Sequence, residues 1–104
     1  MQLILGVKMS IPYEIKLKGP FPTKDLVQIL LKTAADFSLK GSIRTEIHGP
    51  EVYLTKMGFN VGYLELHYSH DDKCTINKIF PVCHKSWFEK RFSNYIKKVT
   101  GLLG

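Results

Sequence analysis

Short stretches of alternating apolar and polar residues, separated by turn-forming residues, run from about residue 42 to residue 80. Alternation with a period of two is typical of a strand that buries one face. Turn-forming residues occur at Gly49-Pro50, at Gly58 and at residues 70–72, and they divide the stretch into four strands. Strands joined by such short turns pair with their sequence neighbours, so we predict an antiparallel meander.

The position of each turn determines which residues lie opposite one another. A two-residue turn at Gly49-Pro50 places Ile47 opposite Val52, because glycine accepts the positive φ of a type II′ turn and proline the φ that follows it. A turn centred on Gly58 then places Val52 opposite Leu64, and Tyr53 opposite Tyr63. The two turns agree on which residues share a face of the sheet.

A three-residue turn at residues 70–72 places Leu66 opposite Ile76, and Gly62 opposite Phe80. One face of the meander then carries a continuous apolar set that two helices can cover. The set consists of Ile43, Ile47, Val52, Leu54, Leu64, Leu66, Ile76 and Phe80.

Two helices and one further strand complete the prediction. Apolar residues at spacings of three and four predict a helix from about residue 24 to 38 and a long C-terminal helix. The apolar residues of the second are Phe88, Phe92, Tyr95, Ile96, Val99 and Leu103. Residues 13–17 alternate and predict a strand ahead of the first helix. We therefore expect one α+β domain over residues 1–104 with the order β-α-β-β-β-β-α, in which residues 1–10 are an extra segment if Met9 is the native start.

This order of elements, from Tyr13 to Leu103, resembles the helix-grip architecture, in which a curved antiparallel sheet wraps a C-terminal helix. Birch-pollen-allergen-like and START-like lipid-binding proteins belong to that class, and the order is also similar to one half of a TATA-binding protein. The resemblance implies a small apolar ligand held between the sheet and the terminal helix. The residues expected to line such a cavity are Leu54, Leu64, Leu66, Ile76, Phe88, Phe92 and Tyr95. The alternative is that these residues simply form the core.

The other face of the predicted sheet carries a second apolar group, which consists of Tyr53, Met57, Phe59, Val61, Tyr63 and Ile79. A patch of that size is expected to be covered, either by residues 3–5 of the same chain or by a second copy in a homodimer. For self-association we single out Tyr53, Met57, Phe59, Val61 and Tyr63. The same aromatic residues could instead stack on unpaired bases.

The balance of charges leaves a second function open. Fifteen Lys and Arg residues against nine Asp and Glu give a net charge of +6, which attracts polyanions. Several of the basic residues fall on the C-terminal helix, namely Lys85, Lys90, Arg91, Lys97 and Lys98. A nucleic-acid-binding module is therefore the alternative to a ligand-binding domain.

Reactive side chains do not form a known catalytic or metal-binding motif. Five metal-ligating residues lie close in sequence, namely His67, His70, Cys74, Cys83 and His84, but their spacing matches no zinc site, and the register above separates His67 from Cys74. Glu65 and His67 share a strand face, where an exposed salt bridge is the ordinary arrangement. We therefore predict a non-enzymatic domain with no metal, no cofactor and no catalytic residue; the alternative that stays open is an enzyme that works through Glu65 and His67 as acid and base, or through a metal.

The remaining expectations concern the cellular setting. Two cysteines cannot form the disulfide framework of a small secreted domain, so a reducing cytoplasm is expected. The apolar residues 1–7 are far shorter than a membrane span, which needs about 20 residues. Only five Asn and Gln residues occur, a scarcity found in proteins of thermophiles.

Overall fold

The computed structural model describes residues 19–82 and 86–104. The elements are β1 (Phe21–Pro22), α1 (Thr23–Asp36), β2 (Lys40–Glu46), β3 (Gly49–Lys56), β4 (Phe59–Tyr68), β5 (Lys73–Pro81) and α2 (Ser86–Leu103). The α+β class and the order β-α-β-β-β-β-α are confirmed. The strand that we predicted over residues 13–17 lies outside the described residues, and the first described strand begins at Phe21.

The five strands form one antiparallel sheet in the order β1-β5-β4-β3-β2. The short first strand pairs with the last strand, where Phe21 lies opposite Cys74. The strand β1 thus forms one edge of the sheet, and β2 forms the other edge. A curled antiparallel sheet with two helices is compatible with the helix-grip resemblance.

Both helices pack on one face of the sheet, which we call the inner face; the opposite face is the outer face. The core between sheet and helices contains residues from every long element except the edge strand β2. Its fully buried members include Leu26 and Leu30 of α1, Val52 and Leu54 of β3, Leu64 and Leu66 of β4, and Phe92 and Tyr95 of α2. Neither described helix combines the length and the apolar content that a membrane crossing requires.

Tyr95 ties the two helices together. Its Oη donates a hydrogen bond of 2.9 Å to the backbone oxygen of Leu30, and the whole side chain is buried. Burial raises the pKa of the Tyr95 phenol far above its ordinary value, because the charged phenolate is disfavoured away from water. The neutral hydroxyl is therefore part of the folded core.

We expect Tyr95→Phe to lower the free energy of unfolding by about 1 kcal/mol at neutral pH, because one buried hydrogen bond is lost. A phenol whose pKa is raised on folding stabilises the fold below the pKa of the unfolded chain, near 10, and that contribution is lost as pH rises further. The difference between wild type and variant should therefore shrink above about pH 10. Urea titrations at neutral and alkaline pH measure it; a constant difference would contradict the role of the buried hydroxyl.

The first hairpin turns two residues earlier than we predicted. The turn consists of Ile47-His48, not Gly49-Pro50, and Ile43 lies opposite Val52. Ile47 is consequently 100% exposed, so its assignment to the core face was wrong. The predicted pairing of Ile47 with Val52 was wrong for the same reason.

Gly49 is the physical cause of this difference. Its φ is 150°, a conformation that residues with a side chain rarely adopt, and a Cβ placed on it would lie 2.3 Å from the backbone oxygen of Leu66. The glycine is therefore needed where β3 begins, because it lets the chain pass directly against β4. It does not serve the turn itself.

In the second hairpin the predicted pairs Tyr53 with Tyr63 and Val52 with Leu64 are confirmed. The register shifts by one residue nearer the turn, where Val61 is an extra residue of β4. A bulge of this kind changes the direction of neighbouring side chains. Val61 is buried in the core cluster and does not belong to an exposed patch.

A second bulge lies between β4 and β5. The predicted pair of Leu66 and Ile76 is confirmed, but Asn77 is an extra residue, and beyond it Gly62 pairs with Pro81. The predicted pairing of Gly62 with Phe80 was therefore wrong. As a consequence Ile79 is buried in the core, whereas Phe80 lies on the outer face opposite Tyr63.

Candidate metal centre

Three side chains that can bind a metal ion meet on the outer face of the sheet. Glu65 and His67 are two residues apart on β4, so they point to the same side, opposite to their buried neighbours Leu64 and Leu66. His48 joins them from the turn between β2 and β3. One nitrogen or carboxylate oxygen of each of the three lies within 4.8 Å of the other two.

The path of the chain after the first turn brings His48 to this place. The backbone nitrogen of Tyr68 donates a hydrogen bond of 2.8 Å to the backbone oxygen of His48. This bond continues the β3–β4 pairing by one step beyond Gly49. His48 thus lies opposite Tyr68, and at this turn its imidazole ring reaches that of the neighbouring His67, with ring centroids 4.8 Å apart.

Glu65 is the negatively charged member of the group. Its Oε1 lies 2.8 Å from Nε2 of His67 and accepts a hydrogen bond of 3.2 Å from Nδ2 of Asn77. The hydrogen bond with His67, followed by that of Asn77 and the charge of His48, holds the pKa of Glu65 below its ordinary value, although partial burial acts in the opposite direction. Glu65 is thus a carboxylate at neutral pH.

The nitrogen Nε2 of His48 is buried and has no hydrogen-bond partner among the residues that the structure describes. It lies 3.4 Å from Oε2 of Glu51, an ion-pair distance at which the hydrogen-bond geometry is not met. A buried polar atom without a partner is unusual, and an unoccupied metal or water position is one of its common causes. This nitrogen can donate its lone pair to a metal ion.

Two side chains of β3, Glu51 and Tyr53, form a chain of polar contacts that leads to His48. Glu51 faces His48, and Oη of Tyr53 donates a hydrogen bond of 2.6 Å to Oε1 of Glu51. This hydrogen bond, together with burial, raises the pKa of Tyr53. The carboxylate of Glu51 therefore places a negative charge directly beside Nε2 of His48.

A row of aromatic rings runs beside the cluster across three strands. The ring centroids of Tyr53 and Tyr63 lie 5.3 Å apart and those of Tyr63 and Phe80 lie 4.8 Å apart, and the rings of each pair are inclined by 25°. Stacking between these rings restricts the conformations of Tyr53 and Tyr63 next to Glu51 and Glu65. It was not predicted, because Phe80 was assigned to the other face.

The structure divides the predicted self-association residues between different places. Tyr53 and Tyr63 lie on the outer face, whereas the ring of Phe59 packs 6.0 Å from that of Phe88 on α2. Met57 lies in the turn between β3 and β4 and is 76% exposed. Self-association through Tyr53 and Tyr63 stays a prediction.

Nucleic-acid binding by the outer face also stays a prediction. The outer face carries charges of both signs, since Glu46 lies beside Arg44 and Glu65 lies opposite Lys78. Carboxylates repel the phosphates that dominate binding of nucleic acids. Of the helix cations that the sequence singled out, Lys85 lies outside the described residues, and the others lie on α2, which packs on the inner face, namely Lys90, Arg91, Lys97 and Lys98.

The residues expected to line an apolar cavity are brought together by the fold. All lie in or against one core cluster, where Leu54, Leu64, Leu66, Phe92 and Tyr95 are fully buried, Phe88 is buried and Ile76 is partly buried. Binding of a small apolar ligand among them stays a prediction.

Of the five possible metal ligands considered in the sequence, the cluster uses only His67. Cys74 is fully buried, whereas His70 is exposed in the turn between β4 and β5. Cys83 and His84 lie outside the described residues. His48 was not recognised, because the β3–β4 register extended past Gly49 places it opposite Tyr68, one residue beyond His67.

No family model matches the chain, and no curated protein or solved structure is significantly similar to it. The site is therefore interpreted from its own geometry.

Proposed function

We propose that this protein is a metal-binding domain that holds one divalent transition metal ion, of the zinc type, with His48, Glu65 and His67. The convergence of three donor atoms to within 4.8 Å of one another carries the proposal. The buried Nε2 of His48, which has no hydrogen-bond partner in the described part of the chain, supports it.

The donor set favours this class of ion. Two imidazole nitrogens and one carboxylate oxygen suit zinc and its neighbours among the divalent transition metals, whereas calcium and magnesium prefer sites made of oxygen only. The set also lacks a thiolate. Three protein ligands leave at least one coordination position open to water or to a small ligand.

The distances are compatible with binding after small side-chain movements. Ligand atoms at about 2.0–2.2 Å from a tetrahedral ion are separated by roughly 3.3 Å. His67 Nε2 and Glu65 Oε1 are already 2.8 Å apart. The largest separation, up to 4.8 Å, closes by rotation of the half-exposed imidazole rings.

Glu51 and Tyr53 have a supporting role in this proposal. The carboxylate of Glu51 lies between His48 and the hydroxyl of Tyr53, with contacts of 3.4 Å and 2.6 Å. It lies next to the nitrogen of His48 that would bind the ion and compensates part of the positive charge of the ion. The aromatic row keeps Tyr53 in place.

Calorimetric titration of the metal-free full chain with zinc tests the proposal. We expect one ion per chain, and a loss of affinity of about 100-fold or more in His48→Ala and in His67→Ala, because each removes a ligand. Glu51→Gln is expected to lose about tenfold, because it removes a negative charge from beside the ion. His70→Ala is the matched control, since His70 is an exposed histidine two residues from the end of β4, and it should bind like wild type.

Circular dichroism of each variant shows whether it is folded before titration. Absence of zinc binding to the folded wild type would contradict the proposal. So would a site that is lost in His70→Ala but retained in His48→Ala.

A further inference from the structure

We infer that a second copy of this chain pairs with the free edge of β2, so that the sheets of two chains join in a symmetric dimer. The inference concerns a different part of the molecule from the metal centre and does not depend on it. It assigns self-association to an edge strand rather than to the outer-face tyrosines.

Strand β2 lies at the end of the sheet, next to β3. No described strand pairs with its other edge. It is seven residues long, contains no proline, and pairs with β3 without a bulge from Lys40 to Glu46. Proline, bulges and short length protect many edge strands from pairing, and β2 has none of these three. Its charged residues, which are a further protective device, are of both signs and can pair with those of a second copy.

The apolar residues near this edge are unusually exposed. Ile43, at the middle of β2, is 44% exposed although it lies opposite the buried Val52 on the inner face. Ile47, just after the strand, is 100% exposed. A neighbouring strand at this edge would cover Ile43.

Symmetry restricts the ways in which two β2 strands can pair. Residues opposite each other in an antiparallel pair share a face, and Ile43 is on the inner face whereas Lys40, Ser42, Arg44 and Glu46 are on the outer face. If a two-fold axis keeps the inner faces of both chains on the same side, each residue lies opposite a residue of its own face. One residue of β2 must therefore lie opposite its own copy at the axis. Pairing about Ile43 uses all seven residues of both strands.

The charges and the length of β2 together select the register about Ile43. In that register Lys40 of each copy lies opposite Glu46 of the other, so two pairs of opposite charge form. A shift of the axis to Arg44 would place the two arginines opposite each other, and a shift to Ser42 would place Lys40 opposite Arg44, so both shifts bring like charges together, which destabilises a strand pair. A shift to Thr45 would pair Arg44 with Glu46 but would leave residues 40–42 without a partner in β2 of the other copy.

The conformation of Glu46 fits this arrangement. Its Oε2 is held 2.7 Å from Nε of Arg44 on the same side of the strand. A carboxylate has two oxygens, and the second can accept a hydrogen bond from Lys40 of the other copy. The charged residues of β2 in one chain are thereby complementary to the charged residues of β2 in the second chain.

Sedimentation velocity of the full chain over a wide range of protein concentration tests the inference. The measurement compares wild type with variants in which the charges of Lys40 and Glu46 are reversed. Lys40→Glu alone and Glu46→Lys alone each create two like-charged pairs, and each is expected to raise the dimer dissociation constant by about tenfold. The double variant Lys40→Glu/Glu46→Lys restores opposite charges and should dimerise as wild type does. Met57→Ser, at the exposed turn between β3 and β4, is the control and should have no effect.

Restoration by the double variant would support this register, because a loss of folding in the single variants could not be repaired by a second charge change. A wild-type chain that is monomeric at every concentration would overturn the inference. So would a dimer that is insensitive to Lys40→Glu, or one that is weakened by Met57→Ser.

Discussion

Replacement of Gly49 by alanine is expected to lower the free energy of unfolding by about 3 kcal/mol and to remove zinc binding. The φ of Gly49 is 150°, and an added Cβ would lie 2.3 Å from the backbone oxygen and 2.9 Å from the backbone carbon of Leu66. Backbone atoms of a central strand cannot move away as a flexible side chain can. The turn must therefore separate from β4, and His48 moves away from Glu65 and His67 with it.

Gly58→Ala provides the matched control for this prediction. Gly58 also has a positive φ, of 82°, in the turn with Met57, but nothing lies within 4 Å of an added Cβ. Its replacement is expected to destabilise the protein by only about 1 kcal/mol, through backbone strain, and to leave zinc binding intact. Urea unfolding and zinc titration of both variants measure the two effects. Equal destabilisation by the two substitutions, or unchanged zinc affinity in Gly49→Ala, would contradict the close approach of the turn to β4.

The second large effect is expected for Gly62→Ala on the inner face. An added Cβ would lie 2.5 Å from Cε1 of Phe92 and 2.8 Å from the backbone oxygen of Phe80. Phe92 is fully buried, so its ring has no space into which it can move. Forced overpacking of this kind lowers the free energy of unfolding by about 3 kcal/mol.

Gly101→Ala is the control for Gly62→Ala. Gly101 is an exposed residue of α2 with nothing within 4 Å of an added Cβ, so alanine should stabilise the helix by up to about 1 kcal/mol. Urea unfolding is again the measurement. Because Gly62 faces away from the metal centre, Gly62→Ala should still bind zinc while it remains folded. A Gly62→Ala protein as stable as wild type would contradict the contact between α2 and β4.

The helices and the order of strands were predictable because they depend on periodicity, which the sequence shows directly. The spacing of Phe88, Phe92 and Tyr95 defined a buried helix face, and all three are buried in α2. The central pairs, such as Val52 with Leu64, followed from turn lengths and are present. Local sequence was sufficient wherever the pairing is regular.

The two bulges were not predictable by the same reasoning. Each inserts one residue, Val61 or Asn77. Valine is typical of a regular strand, and a single asparagine within a strand does not fix the position of a bulge. A single inserted residue reverses which face the following side chains occupy. For that reason Ile79 and Phe80 exchanged faces, and the aromatic row on the outer face was missed.

The metal centre was missed because it depends on a turn whose composition is untypical. Ile47-His48 contains no residue that favours turns, whereas the adjoining Gly49-Pro50 does, so the prediction selected the wrong pair. Glu65 and His67 were recognised as neighbours on one face. Their third partner, seventeen residues before Glu65 in sequence, is brought in by the close packing that Gly49 permits.

X-ray absorption spectroscopy of the zinc-loaded full chain identifies the atoms bound to the metal and therefore tests binding by His48, Glu65 and His67. We expect nitrogen and oxygen neighbours at about 2.0–2.2 Å, with the outer-shell scattering of two imidazole rings that falls to one in His48→Ala. A sulfur neighbour at about 2.3 Å, or a spectrum without imidazole, would contradict binding by His48, Glu65 and His67.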